Sequence, residues 1–177
     1  MIGMRVAAAA IGGAVMILAG SPAALAGPVA PNRAEPVKVL TSKQFAATVS
    51  VPRSWTKTPY MDRFAYDGRS GFISLNAAAE QPKGLKATCQ TAAAGGRVHI
   101  FGTHPRLIFR AINGRPGCVI LPSKDAPRLS VRRGGPKFQT SEAFAAYRHP
   151  LSGYPLFVIF ADPAHVMQLA DSVRLHH

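Results

Sequence analysis

The sequence predicts an α+β fold: a single domain with a mainly antiparallel sheet that is covered by two or more helices. Short runs of β-branched and aromatic residues alternate with glycine-containing turns, which is typical of strands in antiparallel meanders. Two other stretches repeat apolar residues at helical spacing. Residues 118–121 and 156–160 are apolar at every position, which indicates strands buried on both faces beneath a layer of helix.

The first 26 residues have the pattern of an export signal. Arg5 precedes an uncharged apolar run over residues 6–20, and residues 24–26 (Ala-Leu-Ala) form a cleavage pattern of small residues. The run is shorter than the roughly 20 residues of a membrane-spanning helix, so a transmembrane anchor is the less favoured alternative. We therefore expect cleavage after Ala26 and a periplasmic or extracellular mature chain without a transmembrane segment.

The segment after the signal is predicted to be a disordered lead-in over residues 27–40, because its first part is proline-rich and has no apolar period. The domain is then expected over residues 41–177. Its first strand is predicted over residues 45–51, where alternate residues are apolar, and Pro52 ends that strand.

The first helix is predicted over residues 85–94. Leu85, Cys89 and Ala92 fall at positions i, i+4 and i+7, which places them on one face. Gly95 and Gly96 end the helix, since glycine adopts the left-handed conformation without strain. Cys89 is therefore expected to face the core.

Two predicted hairpin turns join neighbouring strands. Residues 63–66 and 72–75 flank a glycine-containing loop over residues 67–71. Asn113-Gly114 indicates a second, tight turn, because both residues tolerate positive φ. The strands predicted in the second half of the chain cover residues 106–112, 118–121, 128–132, 143–148 and 156–160.

The last helix is predicted to begin with Asp162 as the N-cap and Pro163 as the first helical residue. Arg174 and Leu175 are expected to continue the chain as a short edge strand. The helix carries a stripe of apolar residues at positions i, i+3, i+4 and i+7, namely Val166, Leu169, Ala170 and Val173.

Both ends of the predicted domain resemble those of PsbP-like domains. Residues 45–55 (FAATVSVPRSW) resemble the opening strand of that family, which runs into a proline and then a tryptophan. Residues 154–175 (YPLFVIFADPAHVMQLADSVRL) resemble its closing strand, helix and short final strand. The resemblance covers roughly residues 40–175 and implies an α/β/α sandwich. It also implies a binding or assembly role, since members of the family mostly act as such modules.

The metal-binding and Ran-binding residues of particular family members have no matching motif in this chain, so none is carried over. The cysteine pair is not part of the general family pattern. Fold resemblance alone does not establish function.

The two cysteines are predicted to form a disulfide. An exported chain meets oxidising conditions, and a helix packed on a sheet can bring Cys89 close enough to Cys118. The alternative is a nucleophilic cysteine, which needs a histidine within hydrogen-bonding reach. His99, His104, His149 and His165 follow Cys89 in the sequence, but no local nucleophile signature surrounds either cysteine.

Other catalytic and cofactor motifs do not match. The Gly68–Gly71 segment departs from the spacing of a serine nucleophile elbow, and the eight acidic residues are scattered along the chain. We find no phosphate-binding loop, dinucleotide fingerprint or calcium loop. The histidines lack zinc-type spacing with a third ligand. The sequence therefore predicts no catalytic residue, no metal and no cofactor.

Positive charge is the strongest compositional feature. The chain has 21 Lys and Arg against 8 Asp and Glu, for a formal net charge of +13, which favours anionic partners. If the strands over residues 106–112 and 128–132 are neighbours, their arginines line one face and can grip phosphate or carboxylate. The possible anion-binding residues are Arg106, Arg110, Arg128, Arg132, Arg133 and Lys137.

The predicted function is that of an exported, non-catalytic binding or assembly module. Its partner is expected to be an anionic component of the cell envelope or an acidic protein. No specific nucleic acid is predicted, because Phe109 is the one aromatic residue within the basic patch. Two alternatives stay open: an envelope hydrolase that uses a Cys or His side chain, and a structural partner in which the charge is incidental.

Overall fold

The computed structural model describes residues 35–58, 64–95, 99–148 and 153–176. The predicted signal over residues 1–26, the lead-in up to residue 34, Gly96 and His149 lie outside these residues. The described helices are α1 (Gly84–Ala93) and α2 (Val166–Ser172). The described strands are β1 (Val37–Ser42), β2 (Ala47–Pro52), β3 (Thr56–Lys57), β4 (Ala65–Asp67), β5 (Phe72–Ala78), β6 (Arg106–Ile112), β7 (Arg115–Leu121), β8 (Leu129–Ser130), β9 (Lys137–Phe138), β10 (Ser141–Ala146), β11 (Leu156–Ala161) and β12 (Arg174–Leu175).

A seven-stranded antiparallel sheet is the main feature of the fold, with the order β3-β4-β5-β11-β10-β7-β6. Its hairpins follow the predicted turns. Asn113 and Gly114 have φ values of 50° and 71° and join β6 to β7. The loop that ends at Gly71 joins β4 to β5. With α1 and α2, this sheet confirms the predicted α+β class.

Strand β1 shows that part of the predicted disordered lead-in is ordered. It pairs with β2 along its whole length, from Val37 opposite Pro52 to Ser42 opposite Ala47, and β12 pairs with the other edge of β2. The strand was missed because its apolar Val37 and Val39 are exposed, while the partly buried Lys38 points inward. Along most of β1, apolar residues are exposed and polar residues are partly or fully buried, so the strand has no amphipathic sequence pattern.

The core consists of two clusters on opposite faces of the large sheet. Helix α2 and strand β2 pack on one face, and α1 packs on the other. Neighbouring residues of β7 divide between them: Val119 belongs to the first cluster, and Cys118 and Ile120 belong to the second. This alternation explains why residues 118–121 are apolar at every position.

Helix α1 places the two cysteines together, as predicted. Cys89 is fully buried on the inner face of the helix, and Cys118 is fully buried on β7. Their Cα atoms are 6.5 Å apart, and their sulfur atoms lie at disulfide-bonding distance. Neither cysteine is free.

The start of α2 differs from the prediction. Asp162 and Pro163 lie in a turn before the helix, and Val166 is the first helical residue. The Asp162 side chain does not cap the helix, because its Oδ1 accepts a hydrogen bond from the Phe72 N–H on β5 at 3.0 Å. The Asp162 carboxylate therefore binds a residue that is distant in the sequence, and not the free N–H groups at the start of α2. Within the described residues, no helix has the length and apolar character needed to cross a membrane.

Candidate functional site

The structure divides the six predicted anion-binding residues into two groups. Strand β6, with Arg106 and Arg110, is an edge of the large sheet, whereas β8 pairs with β9 in a separate two-stranded sheet. The strand predicted over residues 128–132 is reduced to Leu129–Ser130. The condition on which the shared arginine face depended, that residues 106–112 and 128–132 form neighbouring strands, is therefore not met.

The first group, Arg106 and Arg110 on the edge strand β6, has structural roles. Arg110 forms an ion pair with Asp171, and its guanidinium lies 3.9 Å from the Met167 sulfur, so it joins β6 to α2. Arg106 is exposed at the start of β6. Charged side chains on an edge strand discourage pairing with another chain, which is a sufficient role for both arginines.

The second group lies on the β8–β9 hairpin, which is anchored over β4 and β5. Arg132 Nε is 2.9 Å from Oδ2 of Asp67, whose side chain is fully buried. The rings of Phe138 and Phe72 are 5.8 Å apart. The Gln139 side-chain amide, directly after β9, donates to backbone carbonyls of the segment before β8 and so holds the two ends of the hairpin together. The Arg and Lys residues of this hairpin are therefore carried on an element that is anchored to the large sheet.

The turn between β4 and β5 lies directly beside the hairpin. The Trp55 indole N–H donates to the Ser70 hydroxyl at 3.0 Å, and the Phe72 N–H is bound by Asp162. A Cβ on Gly71 would lie 2.0 Å from Asp162 Oδ1, so only glycine fits there. This close approach explains the glycine at the end of the predicted loop.

Four cations line cavities between the β4–β5 turn and the β8–β9 hairpin, and together with Arg133 on the hairpin we call them the hairpin cluster. Two cavities of about 450 Å³ and 260 Å³ open there and share Ser70 as a lining residue. Arg69 and Arg132 line the larger cavity, and Arg128 and Lys137 line the smaller one. Exposed Arg133 lies between β8 and β9. The hairpin cluster comprises Arg69, Arg128, Arg132, Arg133 and Lys137.

Arg69 was missed in the sequence. It lies in a turn about 60 residues before the others, and no local pattern relates it to them. The link is the ion pair between Arg132 and Asp67, two residues before Arg69. That pair depends on tertiary packing.

The acids near the hairpin cluster already have partners. Asp67 is paired with Arg132, and Glu35 accepts a hydrogen bond from Ser54. Asp162 binds the Phe72 N–H and lies 2.7 Å from Nδ1 of His165. Within the described residues no ion pair involves Arg128, Arg133 or Lys137. Their charge is therefore available to an external anion.

The Asp162–His165 pair is the arrangement most similar to catalytic machinery. The hydrogen bond that His165 Nδ1–H donates to the Asp162 carboxylate raises the pKa of His165, and burial opposes that shift. The His165 ring packs edge-on against Trp55, with the centroids 5.1 Å apart. Among the described side chains, no Ser, Thr or Cys hydrogen-bonds to His165. The pair orients an imidazole and ties α2 to β5.

Neither a metal-ligand cluster nor a known relative assigns a function to these residues. The described part of the chain has no group of three or more His, Cys, Asp or Glu side chains placed to hold a metal ion. No protein-family model matches the chain, and no curated protein has significant sequence similarity to it.

Proposed function

We propose that this chain is an exported, non-catalytic binding or assembly module of the PsbP-like type, and that its hairpin cluster binds an anionic partner. The partner is an anionic component of the cell envelope or an acidic protein. The observation that carries the proposal is the convergence of four cations, from two distant chain segments, around two adjoining cavities, with exposed Arg133 on the same hairpin.

The layered architecture supports the PsbP-like part of the proposal. Helices lie on opposite faces of an antiparallel sheet, as the family resemblance implies. Export is supported by the pattern of residues 1–26 and by the buried cysteine pair, since disulfides persist in oxidising compartments.

The chemistry of the hairpin cluster favours phosphate or carboxylate groups. Arginine can bind either group through two parallel hydrogen bonds. The buried contact of Arg132 with Asp67 holds the hairpin, so Arg128 and Lys137 are presented beside a cavity on an anchored element. Less side-chain and loop freedom is lost on binding when a site is held in advance.

We expect the triple substitution Arg128→Gln/Arg133→Gln/Lys137→Gln to weaken binding to phosphocellulose about tenfold, since each exposed charge contact contributes about 0.5 kcal/mol. Arg132 is kept because it anchors the hairpin. Binding is measured at several salt concentrations, and the difference from wild type should shrink as salt screens the contacts.

The matched control is Arg106→Gln/Arg148→Gln/Lys86→Gln, which removes the same number of exposed arginines and lysines away from the hairpin. It should bind nearly as wild type does. Equal losses in the two triple variants would mean that only bulk charge matters and that the hairpin cluster is not the site.

The alternative of an envelope hydrolase has one favourable observation, the Asp162–His165 pair. Its cysteine version requires a free thiol, whereas Cys89 and Cys118 lie at bonding distance. Mass spectrometry after iodoacetamide treatment, without reductant, separates the two functions. We expect no labelled cysteine; a labelled Cys89 or Cys118 would favour the hydrolase.

A further inference from the structure

A third cavity, of about 340 Å³, lies on the α1 face of the sheet beside the β8–β9 hairpin. Its wall is largely apolar and includes Phe72, Ile100, Leu129 and Phe160. This volume is near the lower end of the range for small-molecule sites, so it suits a ligand with one ring or a short alkyl chain.

Glu142 is the cross-strand neighbour of Phe160, which lines this cavity. The register of β10 places it directly opposite Phe160 on β11, and Phe160 is opposite Ser74 on β5. The three side chains therefore form one row across the same face of the sheet. Phe160, Ser74 and Thr140 line the cavity, and Thr140 precedes Glu142 by two residues.

Glu142 is a largely buried residue whose side chain has no partner among the described residues. The residue is 8% exposed, and within the described residues no hydrogen bond or ion pair involves its side chain. Its cross-strand neighbours, Ile120 and Phe160, are apolar. Burial raises the pKa of Glu142 to about 8. A buried carboxyl without a partner costs stability, and a bound cation removes that cost.

The missing partner is notable because the chain is rich in cations. It has 21 Lys and Arg for 8 acids, and yet none of the described cations pairs with this carboxyl. A largely buried carboxyl that the fold leaves without a partner requires an explanation, and a ligand is one.

We propose that this cavity, the Glu142 cavity, binds a small organic amine, with the apolar body against Phe72 and Phe160 and the ammonium group at Glu142. An ammonium has three donors and no acceptor. Carboxylate oxygens of Glu142 and hydroxyl oxygens of Ser74 and Thr140 are acceptors. A fatty acid of similar size is disfavoured, because its carboxylate would approach the Glu142 carboxyl.

The test is a calorimetric titration of the exported chain with hexylamine, hexanol and hexanoate. We expect hexylamine to bind most tightly, because hexanol fills the same space without a charge and hexanoate has the opposite charge. Glu142→Gln should weaken hexylamine binding at least tenfold and leave the weaker hexanol binding unchanged, since it keeps the shape of the side chain and cannot ionise to pair with the ammonium group.

A second variant, Ser74→Leu, fills part of the cavity and retains Glu142. It should weaken both hexylamine and hexanol, which shows that the apolar body occupies this space. Either of two results would overturn the proposal: equal hexylamine affinity in wild type and Glu142→Gln, or no hexylamine binding to wild type.

This inference does not depend on the hairpin cluster. The Arg128→Gln/Arg133→Gln/Lys137→Gln variant should lose phosphocellulose binding and keep its affinity for hexylamine. Glu142→Gln should show the opposite pattern, so the failure of one proposal can be told from the failure of the other.

Discussion

Replacing Cys89 and Cys118 together by alanine is expected to lower the free energy of unfolding by about 3.5 kcal/mol. The cross-link closes a loop of 29 positions, and the chain-entropy model gives that magnitude. A loss of this size is a large fraction of the roughly 5–15 kcal/mol that stabilises a typical domain. Urea unfolding of the wild type and the double variant measures the difference.

Reduction of the wild type provides the control for this experiment. Dithiothreitol should lower the stability of the wild type towards that of the double variant and leave the double variant unchanged. Both cysteines are fully buried with Phe101, Phe144 and Leu156, so the double variant also loses packing contacts, in addition to the cross-link. A wild type that is insensitive to reductant would contradict a stabilising disulfide.

The second large effect is a fall in stability between about pH 5 and pH 8 that depends on Glu142. The folded-state pKa of Glu142 is about 8, above its ordinary value of 4.5. Between these values the folded chain keeps a proton that the unfolded chain releases. Raising the pH therefore favours unfolding, by up to about 1.4 kcal/mol per pH unit from this one group.

Glu142→Gln isolates this contribution, because His165 acts in the same direction. The raised pKa of His165 stabilises the fold at low pH, and that stability is lost as the pH rises through the folded-state pKa. Urea unfolding at pH 5, 6, 7 and 8 should give a shallower pH dependence for Glu142→Gln, and greater stability than wild type at pH 8. Parallel curves would show that the carboxyl is not desolvated in the folded chain.

The two results expected for Glu142→Gln, on stability and on ligand binding, point to the same role for this side chain. The variant should be more stable at pH 8 and should bind hexylamine more weakly. A side chain that lowers stability and raises affinity for a ligand is typical of a binding site, where function and stability conflict.

Local patterns determined most of the secondary structure. The φ requirement of the Asn113-Gly114 turn, the inward face of α1 and the doubly buried residues 118–121 each depend on neighbours within a few positions. The pairing of Cys89 with Cys118 also followed from the sequence, because each cysteine lies on an apolar face of a recognisable element.

The tertiary structure alone decided where the polar side chains find partners. Asp162 binds the Phe72 N–H, 90 positions away, and so does not cap α2. Arg132 on the β8–β9 hairpin pairs with Asp67 on β4, which brings Arg69 into the hairpin cluster.

The separation of Arg106 and Arg110 from the hairpin cluster was likewise decided by tertiary structure. Four strand-to-strand steps separate β6 from β5, or roughly 19 Å at about 4.8 Å per step. The strand predicted over residues 143–148 begins one position after Glu142, whereas β10 includes Glu142 and the strands β7 and β11 on either side enclose it. Periodicity along the chain determines which face a residue occupies, whereas the order of strands in the sheet determines what lies against that face. That order is set by contacts between residues that are distant in the sequence.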